Sequence, residues 1–272
     1  MKKILAIVLA LVMTVGAVFT MSSCTKEEEK DGETKATLVC GVTIFENMNE
    51  QNADGTWTGF ETEFAQEVGK ILGMEVKFQI IDWAQKYNEL NSGAIDCIWN
   101  GFTANSSDNG IKRSDLVDFS YGYMLNQQCI VVKKDKLANF TSEASLSGKS
   151  ACVEGGSAGE AYAKTVTDAN KIFKATAQLK AFPEVKSGAV DFAVVDILLA
   201  KNLCGKESYA DLAIVENITL ASEIYAVGFK KGSELTAKVN DAIKQLDENG
   251  KLMEIAKKYG FENVLQVTEK ID

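Results

Sequence analysis

The sequence predicts an α/β fold of two lobes, each a doubly wound, mostly parallel sheet with flanking helices, the two joined by a two-strand hinge. Two observations carry this. Alternating strand and helix patterns run strand, helix, strand, helix, strand, and then begin again. At the same joint of each run stands Ser-Gly-Ala-(Ile/Val)-Asp, at 92–96 and at 187–191. The 237 residues from Ala36 to Asp272 are enough for one domain or two.

In the first run, "ATLVCGVTIF" (36–45) reads as a buried strand and "DGTWTG" (54–59) as a turn. Phe60, Phe64, Val68, Ile71 and Leu72 then recur at helical spacing, and Gly73 ends the helix. "EVKFQII" (75–81) is a second strand, "WAQKYNELNSG" (83–93) a short helix and "AIDCIWNGF" (94–102) a third strand. The second run starts with "KSACVEG" (149–155) as a strand, followed by "GSAGEAYAKTV" (156–166) turning into a helix. "FKATAQ" (173–178) reads as a strand and "AFPEVKSG" (181–188) as a short helix with Pro183 near its start, where proline is tolerated. "AVDFAVVD" (189–196) closes the run as a strand. "EIYAVGFKK" (223–231) is a late strand, and two helices finish the chain, one through Leu235, Val239, Ile243 and Leu246, one through Leu252, Ile255 and Tyr259. Each glycine of the repeated pentapeptide suits a helix end, where a left-handed residue is needed.

The first residues belong to a different plan. Lys2 and Lys3 precede an apolar run from Ile4 to Phe19, and Met21, Ser22, Ser23 and Cys24 follow. This is the pattern of a secretory signal over residues 1–23. Its end resembles the lipobox of bacterial lipoproteins, which implies lipidation at Cys24 and anchoring to the extracytoplasmic face of the cell membrane. "TKEEEKDGETK" (25–35) has no large apolar residue and reads, with Cys24, as a solvated tether of residues 24–35. Eleven such residues reach at most ~40 Å.

Net charge is −9, and −11 without Lys2 and Lys3. That argues against nucleic acid and against an anionic membrane surface as partners. With no histidine in the chain, Ser-His and Cys-His chemistry are excluded. Nor is there metal-ligand spacing among the six cysteines, so neither a metal site nor a cofactor is expected. Cys40, Cys97 and Cys129 lie in apolar runs, where cysteine behaves as a small hydrophobe. One disulfide among the five cysteines after Cys24 is compatible with the sequence but has no assignable pairing.

In open α/β sheets, ligands bind beyond the carboxyl ends of the strands. Asn100, Gly101 and Thr103 stand at such an end in the first run and Asp196 in the second. Arg113 follows the first of these and can grip a carboxylate through two parallel hydrogen bonds. "EGGSAGE" (154–160) opens a helix whose free N–H groups around Ser157 and Ala158 suit an anion. Phe45 and Trp83 end first-lobe strands as flat apolar surfaces, with Lys86 and Tyr87 beside them. This set complements a zwitterionic α-amino acid. Each residue also has a plainer reading: Arg113 paired on the surface with Asp115 or Asp118, Asp196 as a helix cap, Phe45 and Trp83 as core, and the glycine-rich stretch as a tight turn.

From about Leu38 to Tyr259 the chain resembles the extracellular solute-binding proteins of amino-acid ABC transporters. The stretches that carry the resemblance are "DGTWTGFETEFAQEVGKILG" (54–73), "LNSGAIDCIWNGFT" (90–103), "RSDLVDFSYGYM" (113–124), "VKSGAVDFAVVD" (185–196) and "DENGKLMEIAKKYG" (247–260). The resemblance implies a periplasmic-binding-protein-like fold, with lobe 1 formed by 36–124 plus 226–272 and lobe 2 by 125–225. It implies that Arg113 takes the ligand α-carboxylate, helped by Ser157 and Ala158. Asp196 takes the α-amino group, helped by Gly101 and Thr103, while Phe45 and Trp83 stack the ligand side chain. In such a protein a free amino acid locks two lobes closed, and a membrane permease reads the closed monomer. Three departures stand out: "ANSSDNGIK" (104–112) is longer than the usual link, Ala158 stands where a hydroxyl residue is common, and the family's usual prolines beside Phe45 are absent. The same fold is similar to that of secreted cyclohexadienyl dehydratases. A prephenate or arogenate dehydratase, with Glu160 or Glu223 as acid or base, is therefore the alternative activity. A ligand-sensing partner of a membrane receptor is a third reading.

Overall fold

The computed structural model describes residues 36–271, and the signal segment, Cys24 and the tether lie outside them. Chain order is β1 (Thr37–Val42), a small hairpin β2 (Glu50–Gln51) and β3 (Trp57–Thr58), α1 (Phe60–Leu72), β4 (Glu75–Ile80), α2 (Lys86–Ser92) and β5 (Cys97–Ile98). A second hairpin, β6 (Ser107–Asp108) and β7 (Ile111–Lys112), leads through the single turn α3 (Arg113–Leu116) to the 16-residue strand β8 (Asp118–Lys133). The second run is β9 (Ala151–Glu154), α4 (Ala158–Val166), β10 (Ile172–Ala175), α5 (Ala181–Ser187), β11 (Phe192–Asp196), α6 (Ile197–Leu203) and β12 (Leu212–Ile214). The chain returns through β13 (Ser222–Phe229) to α7 (Leu235–Glu248), α8 (Lys251–Tyr259) and β14 (Leu265–Thr268).

Strands lie in the order β10-β9-β11-β8-β13-β5-β1-β4. β4-β1-β5 is a parallel triplet at one end and β10-β9-β11 a parallel triplet at the other. In both, the first strand of its run lies between the second and the third, so the two lobes share one plan. The long antiparallel pair β8 and β13 runs between them: β8 faces β13 from Asp118 to Gln127 and β11 from Gln128 onward.

The repeated pentapeptide does the same work twice. Gly93 and Gly188 end α2 and α5 in the left-handed conformation, at φ 79° and 80°. Immediately before the following strand, Asp96 accepts the Val39 N–H at 2.7 Å and Asp191 accepts the Ser150 N–H at 2.7 Å. Each aspartate thereby ties its lobe's third strand to the first. The third strand itself is shorter than its apolar run suggests. Only Cys97–Ile98 pairs, because after Trp99 N–H bonds Gly41 the backbone turns at Gly101 and follows β13 instead. The 54–59 turn is present, clasped by Asp54, whose carboxylate accepts the Thr56 N–H, and flanked by β2 and β3.

Amphipathic spacing predicts α1, and its inner face is buried: Phe60, Phe64, Ala65 and Val68 are inaccessible. Phe64 packs edge-on to Trp99 at 5.0 Å and to Tyr123 at 5.3 Å. The α7 stripe Val239, Ala242, Ile243 and Leu246 joins the same core. Each fully buried side chain of this size contributes roughly 1.5–3 kcal/mol. In lobe 2, Ile130, Val132, Phe140, Phe192 and Val194 form a separate cluster, while Val131, Phe182, Val195 and Leu199 belong to the main cluster, which runs on from lobe 1.

Candidate functional site

The carboxyl ends of β4, β5, β9 and β11 converge between the lobes. Eight of the nine ligand-binding residues expected from the sequence line one small cavity there: Trp83, Asn100, Gly101, Thr103, Arg113, Ser157, Ala158 and Asp196. Phe45 does not line it. It is buried in the lobe 1 core with its ring edge against Gly101. Three further residues do line it: Gln128, Glu154 and Gln178.

Arg113 is 1% exposed and does not pair with Asp118, which binds Lys231. Its partner is Asp108. Asp108 Oδ1 accepts from Nε at 3.2 Å and from Nη2 at 2.9 Å, while Nη1 donates to the Thr103 carbonyl at 3.0 Å and Nη2 to the Gly156 carbonyl of lobe 2 at 3.3 Å. Lys86, 1% exposed, crosses the cleft as well, donating to the Gly156 carbonyl at 2.8 Å, and lies 3.5 Å from Asp108 Oδ2. Tyr87 donates to the same oxygen at 2.5 Å. Burial opposes the Asp108 charge, but Arg113 and Lys86 outweigh it and hold the carboxyl below the usual aspartate range. Desolvation brings Lys86 down to about 8.

The long link that precedes Arg113 is a hairpin. Asn109 and Gly110 take φ 51° and 83°, the signature of a two-residue type I′ turn. That turn aims Asp108 back at the guanidinium. "DNG" between short extended stretches signals such a hairpin, and sequence reasoning that reads it as a longer link misses Asp108.

Asp196 sits where a cap for α6 belongs but makes no cap hydrogen bond. Oδ1 accepts from Asn126 at 3.0 Å and from Gln128, and Oδ2 from Gln178 at 2.7 Å. Asn126 and Gln128 also donate to Glu223, at 2.7 and 3.0 Å, so two amides bridge two buried carboxylates. Burial raises Asp196, and burial together with the Asp196 charge raises Glu223 to about 7. Ser157 caps α4, its Oγ accepting the Glu160 N–H at 3.0 Å; its own N–H donates to the Glu154 carbonyl at 3.2 Å, and Ala158, the first helical residue, also lines the cavity. Glu61 lies beneath Gly101, accepting its N–H at 2.8 Å and the Tyr123 hydroxyl, and burial lifts it to about 7.

Glu154 ends β9 at 2% exposure with Oε1 unpartnered. Desolvation, then the Asp196 charge, push it up to about 8. The signal for it was the one that picked out Asp196: a carboxylate closing an apolar strand, here "SACVE" (150–154).

The profile of bacterial extracellular solute-binding proteins, family 3, matches residues 38–263. The arginine-binding extracellular protein ArtP of Bacillus subtilis is 27% identical, over 95% of this chain and 98% of its own. The L-cystine-binding protein TcyA of the same organism is 30% identical, over 97% and 99%. Among solved structures, an ancestral arginine-binding protein bound to arginine superposes with a TM-score of 0.74 at 31% identity, over 84% of this chain and 99% of that one. A substrate-binding protein from Streptococcus pneumoniae with bound histidine gives 0.73 at 29%, over 86% and 95%. A two-lobed fold with its polar cleft at the strand ends, and these likenesses, define an extracytoplasmic amino-acid-binding protein, the substrate-binding component of an ABC importer. The chain belongs to the bacterial extracellular solute-binding proteins, family 3.

Proposed function

We propose that the cleft captures a free α-amino acid and that the captured ligand locks the lobes together. The observation that carries this is the opposition of Arg113, from lobe 1, and Asp196, from lobe 2, across one buried cavity. Arg113 takes the α-carboxylate with the N–H groups at Ser157 and Ala158. Asp196 takes the α-ammonium with the Gly101 carbonyl and the Thr103 hydroxyl, Asn100 orients this edge, and Trp83 covers the side chain. A ligand that pairs with both walls binds the closed form better than the open one, and only such differential affinity drives closure. Lobe 1 comprises 36–124 plus 226–272 and lobe 2 comprises 125–225. The support for these limits is the point where β8 passes from β13 to β11, at Gln127 and Gln128.

The protein works as a monomer, held at the membrane through lipid on Cys24, and presents its closed form to the permease. It does no catalysis. The cleft is rich in carboxylates whose two buried cations are already engaged, which disfavours a dicarboxylate such as prephenate. An ancestral amino-acid-binding protein described as a precursor of cyclohexadienyl dehydratase shares the fold at TM-score 0.71 and 27% identity, so turnover of prephenate and arogenate is the control. The test is a thermal-shift screen of the mature protein against the common amino acids and cystine. A saturating ligand raises the melting temperature by mass action, about 2.7 kcal/mol at one hundred times Kd. A screen in which no amino acid stabilises the protein overturns the reading.

A further inference from the structure

We propose that the ligand's side chain is itself cationic and that Glu154 holds its charge; this rests on the amino-acid reading above. Charges crowd in and around the cleft, with Arg113, Glu154 and Asp196 lining it. Five carboxyl groups, Glu61, Asp108, Glu154, Asp196 and Glu223, are gathered around two cations, Lys86 and Arg113. Both cations are committed to Asp108 and to the Gly156 carbonyl. Asp196 and Glu223 are bridged by the Asn126 and Gln128 amides. Glu61 is held through Oε1 by Gly101 and Tyr123, and its bare Oε2 belongs to a residue that does not line the cavity.

Among the described residues, Glu154 alone of the cavity-lining carboxylates combines near-complete burial with an oxygen that no described residue satisfies. Leaving such an oxygen bare in a closed, dry cleft is costly; an anionic side chain does not relieve it, and a neutral N–H or O–H donor satisfies the lone pairs but not the charge. An ammonium or guanidinium satisfies both, through a charge-assisted hydrogen bond. Trp83 lines the same cavity and offers a ring to a cation, as it already does to Lys86 Nζ at 5.4 Å. The raised affinity of Glu154 for its proton fits a group waiting for a positive partner, because a buried carboxyl without one stays neutral. Division of labour follows: Asp196 for the α-ammonium, Glu154 for the charge at the end of the side chain.

Calorimetry with L-arginine, L-citrulline and agmatine, on the parent and on Glu154→Gln and Glu154→Asp, tests this. Citrulline keeps the shape and the α-groups of arginine but loses the side-chain charge. Agmatine keeps both cations and loses the carboxylate. Arginine is expected to bind the parent about 10–100-fold more tightly than citrulline, the worth of one charge-assisted hydrogen bond. E154Q is expected to abolish most of that ratio by weakening arginine, and E154D to restore part of it. Equal binding of arginine and citrulline to the parent, which needs no variant, overturns the proposal while leaving the amino-acid reading standing. So does a ratio unchanged in E154Q. Agmatine binding as well as arginine, with citrulline weak, supports Glu154 and overturns the carboxylate half of the amino-acid reading. No binding by any of the three overturns the cationic side chain and leaves the amino-acid reading to the thermal-shift screen.

Discussion

The carboxylate of Asp108 lies on the guanidinium of Arg113, its Oδ1 taking both the Nε and the Nη2 protons at 3.2 and 2.9 Å. These are the two parallel N–H groups that a ligand carboxylate is proposed to use. The hairpin that carries Asp108 therefore fills the anion position with a residue of the protein's own. An arriving carboxylate has to share the guanidinium or displace the aspartate.

Asp108→Asn removes the competing charge and keeps the size of the side chain. Lys86 and Arg113 are then left with less negative partner, so the ligand-free variant is less stable than the parent. Ligand affinity rises by about tenfold, the worth of one charge-assisted hydrogen bond released to the ligand. Calorimetry on the two proteins measures it. A weaker ligand in D108N shows instead that Asp108 holds Arg113 in place for binding.

Arg113→Ala takes away the proposed carboxylate partner altogether. The ligand carboxylate is then buried and under-paired, at a loss of ~2–5 kcal/mol of binding. The same titration reads this, and an unchanged Kd sinks the carboxylate assignment. Arg113→Lys retains charge but not the planar fork, so it falls between the two.

Much of the fold is legible in the sequence because it is written in local rules. The α1 and α7 stripes follow helical periodicity, and the two Ser-Gly-Ala-(Ile/Val)-Asp joints pair a left-handed helix end with an aspartate that ties neighbouring strands. Arg113 and Asp196 are legible by burial logic, being charged residues set next to apolar strands. The third strand's early end at Ile98 is not, since apolar residues at 99 and 102 fit core and strand alike and only the path of β13 decides. Phe45 and Trp83 look equivalent as strand-end aromatics. Side-chain direction separates them, placing one in the core and one at the cavity. Asp108 and Glu154 depend on contacts with residues far away in the chain, which periodicity does not encode.

The buried acids make stability depend on pH in a definite direction. Folded-state values of about 7 for Glu61, about 8 for Glu154 and about 7 for Glu223 lie above the unfolded glutamate value of about 4.3. The folded protein therefore binds more protons than the unfolded chain between roughly pH 4.5 and 8. Stability from these groups is full below that window and is lost as pH rises through it. Asp108 and Glu160, whose values are lowered, act in the opposite sense but below pH 4.5. The melting temperature of the ligand-free protein is thus expected to be higher at pH 5 than at pH 8. If Glu154 meets a cationic side chain, with Asp196, Lys86, Thr43 and Gln178 as its other neighbours, it ionises on binding. Binding at pH 7 then releases protons, visible as a dependence of the calorimetric enthalpy on the buffer. Equal melting temperatures at pH 5 and pH 8 contradict the raised values.

Gly156 offers a way to separate closure from folding. It lies on lobe 2 at φ 75°, and its carbonyl receives both Lys86 and Arg113 from lobe 1. A Cβ built there stands 3.0 Å from Ala84 Cα and 3.2 Å from Lys86 Nζ, and both of these atoms belong to the opposite lobe. In the open form only the backbone strain of a left-handed alanine remains, about 1 kcal/mol. In the closed form the methyl group also meets the Ala84 backbone, which has no rotamer by which to withdraw. Gly156→Ala should therefore lower the melting temperature of the ligand-free protein modestly, by the few degrees that ~1 kcal/mol represents. It should weaken ligand binding by more than that, since closure carries the additional clash. Small-angle scattering with and without saturating ligand checks the cause: the parent contracts on binding and the variant contracts less. A variant that melts low but binds and contracts like the parent shows that the two lobes do not meet at this glycine when the ligand is held.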